Sequence, residues 1–180
     1  MQSKMPVLGF AAFSGTGKTT LLVKLIPLLK TAGLHLGVIK HAHHKVDVDH
    51  PGKDSYRLRQ AGAGQVLLAS SRRWALMVEE EIEKEPDLQD LLNRLDVTGL
   101  DLILVEGFRH LSFPKIELHR PALGKPLLFP DDPAIIALAI DTEPPTGLEI
   151  PCLNLNDPVM IRDFILRWIN GLRQPLSPPP

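Results

Sequence analysis

Apolar positions along this chain come in short unbroken runs that alternate with stretches of helical spacing, the pattern of an α/β protein. Val7–Phe13 is one such run and predicts a buried first strand. From Lys18 to Ala32 the apolar residues recur at helical spacing, and Gly33 stands where a helix C-cap belongs. Pro27 falls inside that pattern and lacks the N–H that would bond to Val23, so a local bend is expected there. Leu36–Lys40 predicts a second buried strand. Val7–Lys40 then forms a βαβ unit whose right-handed crossover sets the helix on one face of a parallel sheet.

Beyond the polar loop His41–Lys53, Asp54 or Ser55 is a cap for a short helix reaching about Ala61, closed by Gly62 and Gly64. Gln65–Ala69 and Trp74–Val78 read as short strands. The acidic run Glu79–Glu85 reads as a solvated loop or edge, and Pro86-Asp87 opens a helix to about Leu95. Leu102–Val105 is continuously apolar, as a central strand buried on both faces must be. Nine prolines between Pro114 and Pro158 cut that region into extended pieces, with strands expected at Lys115–His119, Ile135–Ile140 and Cys152–Leu155. Asp157-Pro158 then starts a last helix whose core stripe is Ile161, Phe164, Ile165, Trp168 and Ile169. No internal repeat is present. The expected architecture is one nucleotide-binding domain over residues 1–173, mainly a parallel sheet flanked by helices, followed by a disordered tail at 174–180.

Composition narrows the function. The 180 residues are 44% hydrophobic, enough for a sizeable core, and 23% charged. Twenty Lys+Arg against 21 Asp+Glu give a net charge of −1, which argues against a general nucleic-acid or membrane-surface binder. No apolar run approaches the roughly 18–20 residues that cross a bilayer. The apolar run behind Lys4 leads into a glycine-rich segment rather than a small-residue cleavage pattern, so a strand is preferred to a signal peptide. A single cysteine, Cys152, excludes an intramolecular disulfide framework and fits a reducing, cytoplasmic setting.

The chemistry concentrates in Ala12-Phe13-Ser14-Gly15-Thr16-Gly17-Lys18-Thr19, placed between the first strand and the first helix. It follows the phosphate-loop pattern G-x-x-x-x-G-K-[ST] except that Ala12 takes the first glycine position. Polyphosphate must be held without bulky side chains in the way. Gly15 and Gly17 let successive amides face the phosphates, and the helix start adds its positive end. Lys18 supplies a point charge between the β- and γ-phosphates, and the Thr19 hydroxyl is a ligand for Mg²⁺. An acid on a neighbouring strand should join that metal. Asp101 begins the strand Leu102–Val105 and points away from the ligand end, whereas Glu106 ends it, so Glu106 is favoured.

Four of the seven histidines lie in His41–His50. That loop has three readings: a transition-metal site, phosphate or magnesium-water contacts from Lys45, Asp47 or Asp49, or a solvated polar loop. Arg73, in Ser71-Arg72-Arg73-Trp74, is either an anion contact or a surface arginine beside a core-packed Trp74. Phe108-Arg109-His110 offers a similar choice.

Together these segments resemble the MobB family, molybdopterin-guanine dinucleotide biosynthesis protein B, among the phosphate-loop GTPases. The matching stretches are Phe10–Leu22, Ile39–His44, Asp49-His50-Pro51-Gly52-Lys53-Asp54-Ser55-Tyr56, Arg73–Leu76 and Asp101–Phe108, with a weaker match through Asn156-Asp157 to the last helix. The resemblance implies a cytoplasmic homodimer that binds GTP, has weak Mg²⁺-dependent GTPase activity, and assists the guanylyltransferase that joins GMP to molybdopterin. Molybdopterin or its guanine dinucleotide is a further candidate ligand. It implies that Ser14, Gly15, Thr16, Gly17, Lys18, Thr19 and Thr20 hold phosphates, that Thr19 and Glu106 hold Mg²⁺, and that Lys45, Asp49 and Arg73 complete the site. It also implies a dimer arm built from extended strands, which the 114–158 segment offers. An alanine at the first glycine position is part of this family's loop. The guanine-reading motif N-K-x-D is absent, since Asn154-Leu155-Asn156-Asp157 is not it. A small-molecule kinase using the same loop and a non-hydrolysing nucleotide or pterin adapter are the alternatives.

Overall fold

The computed structural model describes residues 5–42 and 47–173. Lys45 and the 174–180 tail, both singled out above, lie outside the described residues. The chain divides into two compact units, residues 1–41 with 88–180, and residues 42–87.

The first unit is built on six strands: β1 (Val7–Ala11), β2 (Leu36–Lys40), β5 (Leu102–Glu106), β6 (Lys115–His119), β7 (Ile135–Ile140) and β8 (Cys152–Asn154). They pair in the order β2-β5-β1-β6-β7-β8, and every pairing is parallel. Alternation within β5 explains why both faces are covered. Leu102 and Leu104 join the core beneath helices α1 (Lys18–Thr31) and α4 (Pro158–Arg173), while Ile103 and Val105 join the opposite core with Leu88 of α3 (Leu88–Arg94). The α4 stripe is as the spacing implies: Ile161, Ile165 and Ile169 are buried, with Phe164 and Trp168 packed at the margin. Asp157 Oδ1 accepts the N–H groups of Val159 (3.0 Å) and Met160 (3.1 Å), and Pro158 takes the first helical position. Helix α1 continues through Pro27 to Thr31, whose hydroxyl donates to the Pro27 carbonyl at 2.9 Å.

Strand β6 departs from any pattern of polar-out alternation. All five residues of Lys-Ile-Glu-Leu-His are buried, Lys115 and Glu117 to 1% exposure. Each charge has its partner. Lys115 Nζ lies 2.8 Å from Asp132 and donates to the carbonyls of Arg109 and Leu111. The Glu117 carboxylate accepts the N–H groups of Leu128 and Phe129, both at 2.8 Å, closing a short 3₁₀ turn at Phe129–Asp131. Burial raises the Glu117 carboxyl above its ordinary range, and these two donors oppose that shift. The strands of the 114–158 segment are thus spent on the sheet: β6 and β7 pair on both sides, and only β8 keeps an unpaired edge.

The second unit holds α2 (Asp54–Gln60) and an antiparallel hairpin of β3 (Gln65–Ala69) and β4 (Trp74–Val78). The N-cap of α2 is Lys53, with Asp54 in the first turn, where its charge still favours the helix dipole. Trp74 is 67% exposed, so the alternative that placed it in the core does not hold. It shares one face of the hairpin with Leu67 and Leu76, both also exposed, because residues 74 and 76 pair with 69 and 67. The Ser70 hydroxyl ties the hairpin turn, donating to the Arg73 carbonyl at 2.9 Å and accepting the Arg73 N–H at 3.1 Å. No described helix is long and apolar enough to cross a membrane.

Candidate functional site

Parallel strands β1, β2 and β5 all end on the same edge, and their ends lie side by side there. Phe10 of β1 and Lys40 of β2 both stand in register with Glu106. The loop after β1 turns back into α1 with Gly15 at φ 83° and Gly17 at φ 101°, a left-handed backbone that side chains other than glycine's disfavour. Ala12 is not among the positive-φ residues, so the missing first glycine costs nothing conformationally. Gly17 is the N-cap of α1 and carries no side chain to cap it. The first amides of the helix therefore stay available to an anion.

Lys18 is folded into this loop, its ammonium donating to the carbonyls of Ala12 (3.1 Å) and Phe13 (3.4 Å). Burial lowers its pKa, Glu106 opposes that, and the nearby cations Arg109 and Lys40 add to it. A phosphate beside Lys18 would relieve both effects. The Thr19 hydroxyl donates to Glu106 Oε1 at 3.1 Å and lies 3.4 Å from Oε2. Lys40 Nζ approaches Glu106 Oε2 at 3.4 Å. Arg109 stacks over the Phe13 ring at 5.1 Å, and Lys125 lies 5.9 Å from the same ring. On the other flank Arg120 Nε donates to the Thr16 carbonyl at 3.0 Å, anchoring the loop to the end of β6. A protein of net charge −1 thus gathers Lys18, Lys40, Arg109, Arg120 and Lys125 around one loop, a local field suited to a polyanion.

Glu106 is held from behind. The His41 N–H donates to the Glu106 carbonyl at 2.8 Å, and the His41 ring stacks on Phe108 at 4.6 Å. Between them Gly107 takes φ 110° and Phe108 φ 52°. Asp101, the other acid considered for the metal, sits at the opposite end of β5. It accepts the His35 N–H (3.0 Å) and the Arg173 guanidinium (2.7 Å), which hold its carboxyl below the ordinary carboxylate range.

A hydroxyl and a carboxylate side by side at a phosphate loop form a hard-oxygen pair of the kind Mg²⁺ prefers, and they fit that ion. Among the described residues no group of three or more His, Cys, Asp and Glu gathers as a metal site. Of the other candidates, Asp49 is buried within the second unit and engaged by Arg59, which also meets Asp47 (3.3 Å) and Glu79 (2.6 Å). Arg59 holds the Asp49 carboxyl below its ordinary value, and the acids in turn raise the arginine. Arg73 is exposed at the hairpin turn of that same unit. Ser14 and Thr20 are exposed on the loop and helix start, and Thr16 is buried with its hydroxyl donating to the Phe13 carbonyl at 2.9 Å. Sequence reasoning passed over Lys40 and Arg120. Lys40 was accessible in principle, as the last residue of a strand parallel to the one ending in Glu106; Arg120 carried no local signal.

Comparison with known proteins identifies the family. Residues 7–141 match the family MobB, molybdopterin guanine dinucleotide synthesis protein B. A protein of Escherichia coli (strain K12) named molybdopterin-guanine dinucleotide biosynthesis adapter protein is 51% identical over 93% of this chain and 95% of its own length. One of the same name from Haemophilus influenzae is 44% identical over 94% of this chain and 93% of its own. The fold superimposes on a MobB protein homolog from Bacillus stearothermophilus with a TM-score of 0.67 at 20% identity, covering 92% of this chain and 98% of that one.

Proposed function

Since the chain belongs to the MobB family, we propose that it is an adapter in molybdopterin guanine dinucleotide biosynthesis that binds GTP and Mg²⁺ at the phosphate loop. The observation that carries this reading is the Thr19–Glu106 contact at 3.1 Å, beside a lysine already folded into a glycine-shaped, uncapped helix start. Gly15 to Thr20 would present backbone amides to the phosphates, and Lys18 would move from its carbonyl partners to the β- and γ-phosphates. Thr19 and Glu106 would hold Mg²⁺, which when bound neutralises charge developing on the phosphoryl oxygens. Turnover is slow in this reading. These residues position phosphate and neutralise its charge, whereas fast hydrolysis also needs a water-orienting group or an inserted arginine, and the guanylyltransferase partner is the proposed source. A homodimer remains part of the proposal.

Calorimetry of GTP with and without Mg²⁺ tests the site. Lys18→Ala is expected to abolish measurable binding, and Thr19→Ala to remove the part of the affinity that depends on Mg²⁺. Unchanged GTP affinity in both variants would refute the assignment. A phosphate transferred to a small acceptor rather than to water would favour the kinase reading.

A further inference from the structure

A cavity of about 250 Å³ opens beside the phosphate loop, between the first turns of α1 and the turn that joins β8 to α4. Its floor is the loop itself, Gly15 to Gly17. Its apolar walls are Leu21 of α1 and Leu155 and Pro158 from the turn that joins β8 to α4. Sites for a whole drug-sized ligand run to roughly 300–1,000 Å³, so this one suits a single part of a nucleotide, and apolar walls suit the face of a base.

The polar lining is one-sided. Its polar side chains are Thr16, Thr20, Lys24, Arg120 and Asn156, with no carboxylate, and the Thr16 hydroxyl is spent on the Phe13 carbonyl. Lys24 brings an ammonium, a donor only. Arg120 is fixed at three of its nitrogens, Nε on the Thr16 carbonyl, Nη1 on Asp141 at 2.5 Å and Nη2 on Asn156 Oδ1 at 3.2 Å. A guanidinium has five N–H groups, so donors remain after these three bonds. Because the Asn156 oxygen is taken by Arg120, that amide has its NH₂ group left to offer. Asp141 is not part of the lining; its Oδ2 holds the arginine in place.

Apart from the threonine hydroxyls, which donate or accept, this rim offers donors, and donors discriminate between purines. Guanine presents two acceptors, O6 and N7, along one edge; adenine presents N7 beside the donor N6 amino group. From this we infer that the cavity receives the base of the bound nucleotide, and that Lys24, Arg120 and Asn156 select guanine by its O6/N7 edge. The inference rests on the reading that the phosphate loop holds a nucleoside triphosphate. It supplies a basis for guanine preference in a chain without the N-K-x-D motif, and it makes the 2-amino group of guanine dispensable.

The test is competition binding on the full chain with GTP, ITP, ATP and inorganic tripolyphosphate, each with Mg²⁺. ITP keeps O6 and N7 but lacks the 2-amino group. GTP and ITP are expected to bind alike and about tenfold or more tighter than ATP. Lys24→Met and Asn156→Leu are each expected to bring GTP and ITP about tenfold closer to ATP, with tripolyphosphate affinity unchanged as the control for folding and for the phosphate loop. ITP binding as weakly as ATP would overturn the inference, because the base would then be read through its 2-amino group. So would an intact GTP preference in both variants. If the unaltered protein failed to bind even tripolyphosphate, the phosphate-loop reading itself would fall, and this inference with it.

Discussion

The role proposed for Glu106 rests on three contacts of different kinds: a hydroxyl from Thr19, an ammonium from Lys40 and a backbone bond from His41. Glu106→Gln keeps the size and the Thr19 contact but removes the anionic oxygen a hard cation needs. The expected result is a loss of about tenfold or more in Mg²⁺-dependent GTP affinity, with Mg²⁺-free binding and melting temperature little changed. Asp49 makes a second residue-level case, of stability rather than binding. Its carboxyl is held below its ordinary value of 3.8 by Arg59. A lowered pKa in the folded state means that the pair stabilises above that ordinary value and ceases to as pH falls through the folded one. Chemical denaturation of Asp49→Asn across the acid range should show a shallower loss of stability than the parent protein, and an identical slope would remove Asp49 from this role.

At the level of elements, the strand end Glu106-Gly107-Phe108 sets the direction in which the acid points. A Cβ on Gly107 would lie 2.5 Å from the His41 Cβ, at a φ of 110° that a side chain resists. Gly107→Ala should cost about 2 kcal/mol or more in stability, from backbone strain and the displaced neighbour, and should weaken Mg²⁺-dependent binding through Glu106. By contrast Gly15 and Gly17 have no protein atom near an added Cβ, so within the chain itself it is their backbone angles that call for glycine. The start of α4 offers a milder case. Asp157→Ala removes a cap that serves two amides and should cost about 1 kcal/mol by denaturant titration, with no change in the sheet.

Across the whole molecule, the buried Lys115 joins three segments, the chain after β5, the start of β6 and the turn before β7 through Asp132. Lys115→Met leaves a carboxylate and two carbonyls without their donor, and a loss of roughly 3–5 kcal/mol is expected on thermal or chemical unfolding. The two units differ in what holds them. The six-stranded sheet has apolar cores on both faces, whereas the hairpin unit buries Val66 and Met77 as its strand residues and leaves Leu67, Trp74 and Leu76 exposed. Native-state hydrogen exchange should therefore show β3 and β4 opening at lower free energy than β1, β5 and β6. Equal protection in both groups would contradict this.

Much of the fold was legible in the chain itself, because burial imposes a period on each strand and helix that needs no knowledge of neighbours. The run Leu102–Val105, the α4 stripe and the Asp157 cap are instances. The phosphate loop was legible for a related reason: its chemistry is carried by adjacent residues and two glycines whose φ is positive. The choice of Glu106 over Asp101 followed from strand direction alone. What could not be read were the roles set by strand order and by side chains reaching between elements. Nothing local in Lys115–His119 says that two charges lie at the sheet's interior, since the Asp132 carboxylate and the Leu128 and Phe129 amides that meet them are 11 to 17 residues away. Arg120 meets the phosphate loop across 104 residues of chain. Short-range patterning determined which segments fold and where a polyphosphate could rest. Only the tertiary structure decided which distant cations and amides surround it, because electrostatic and hydrogen-bond partners are chosen by distance in space, to which sequence separation is blind.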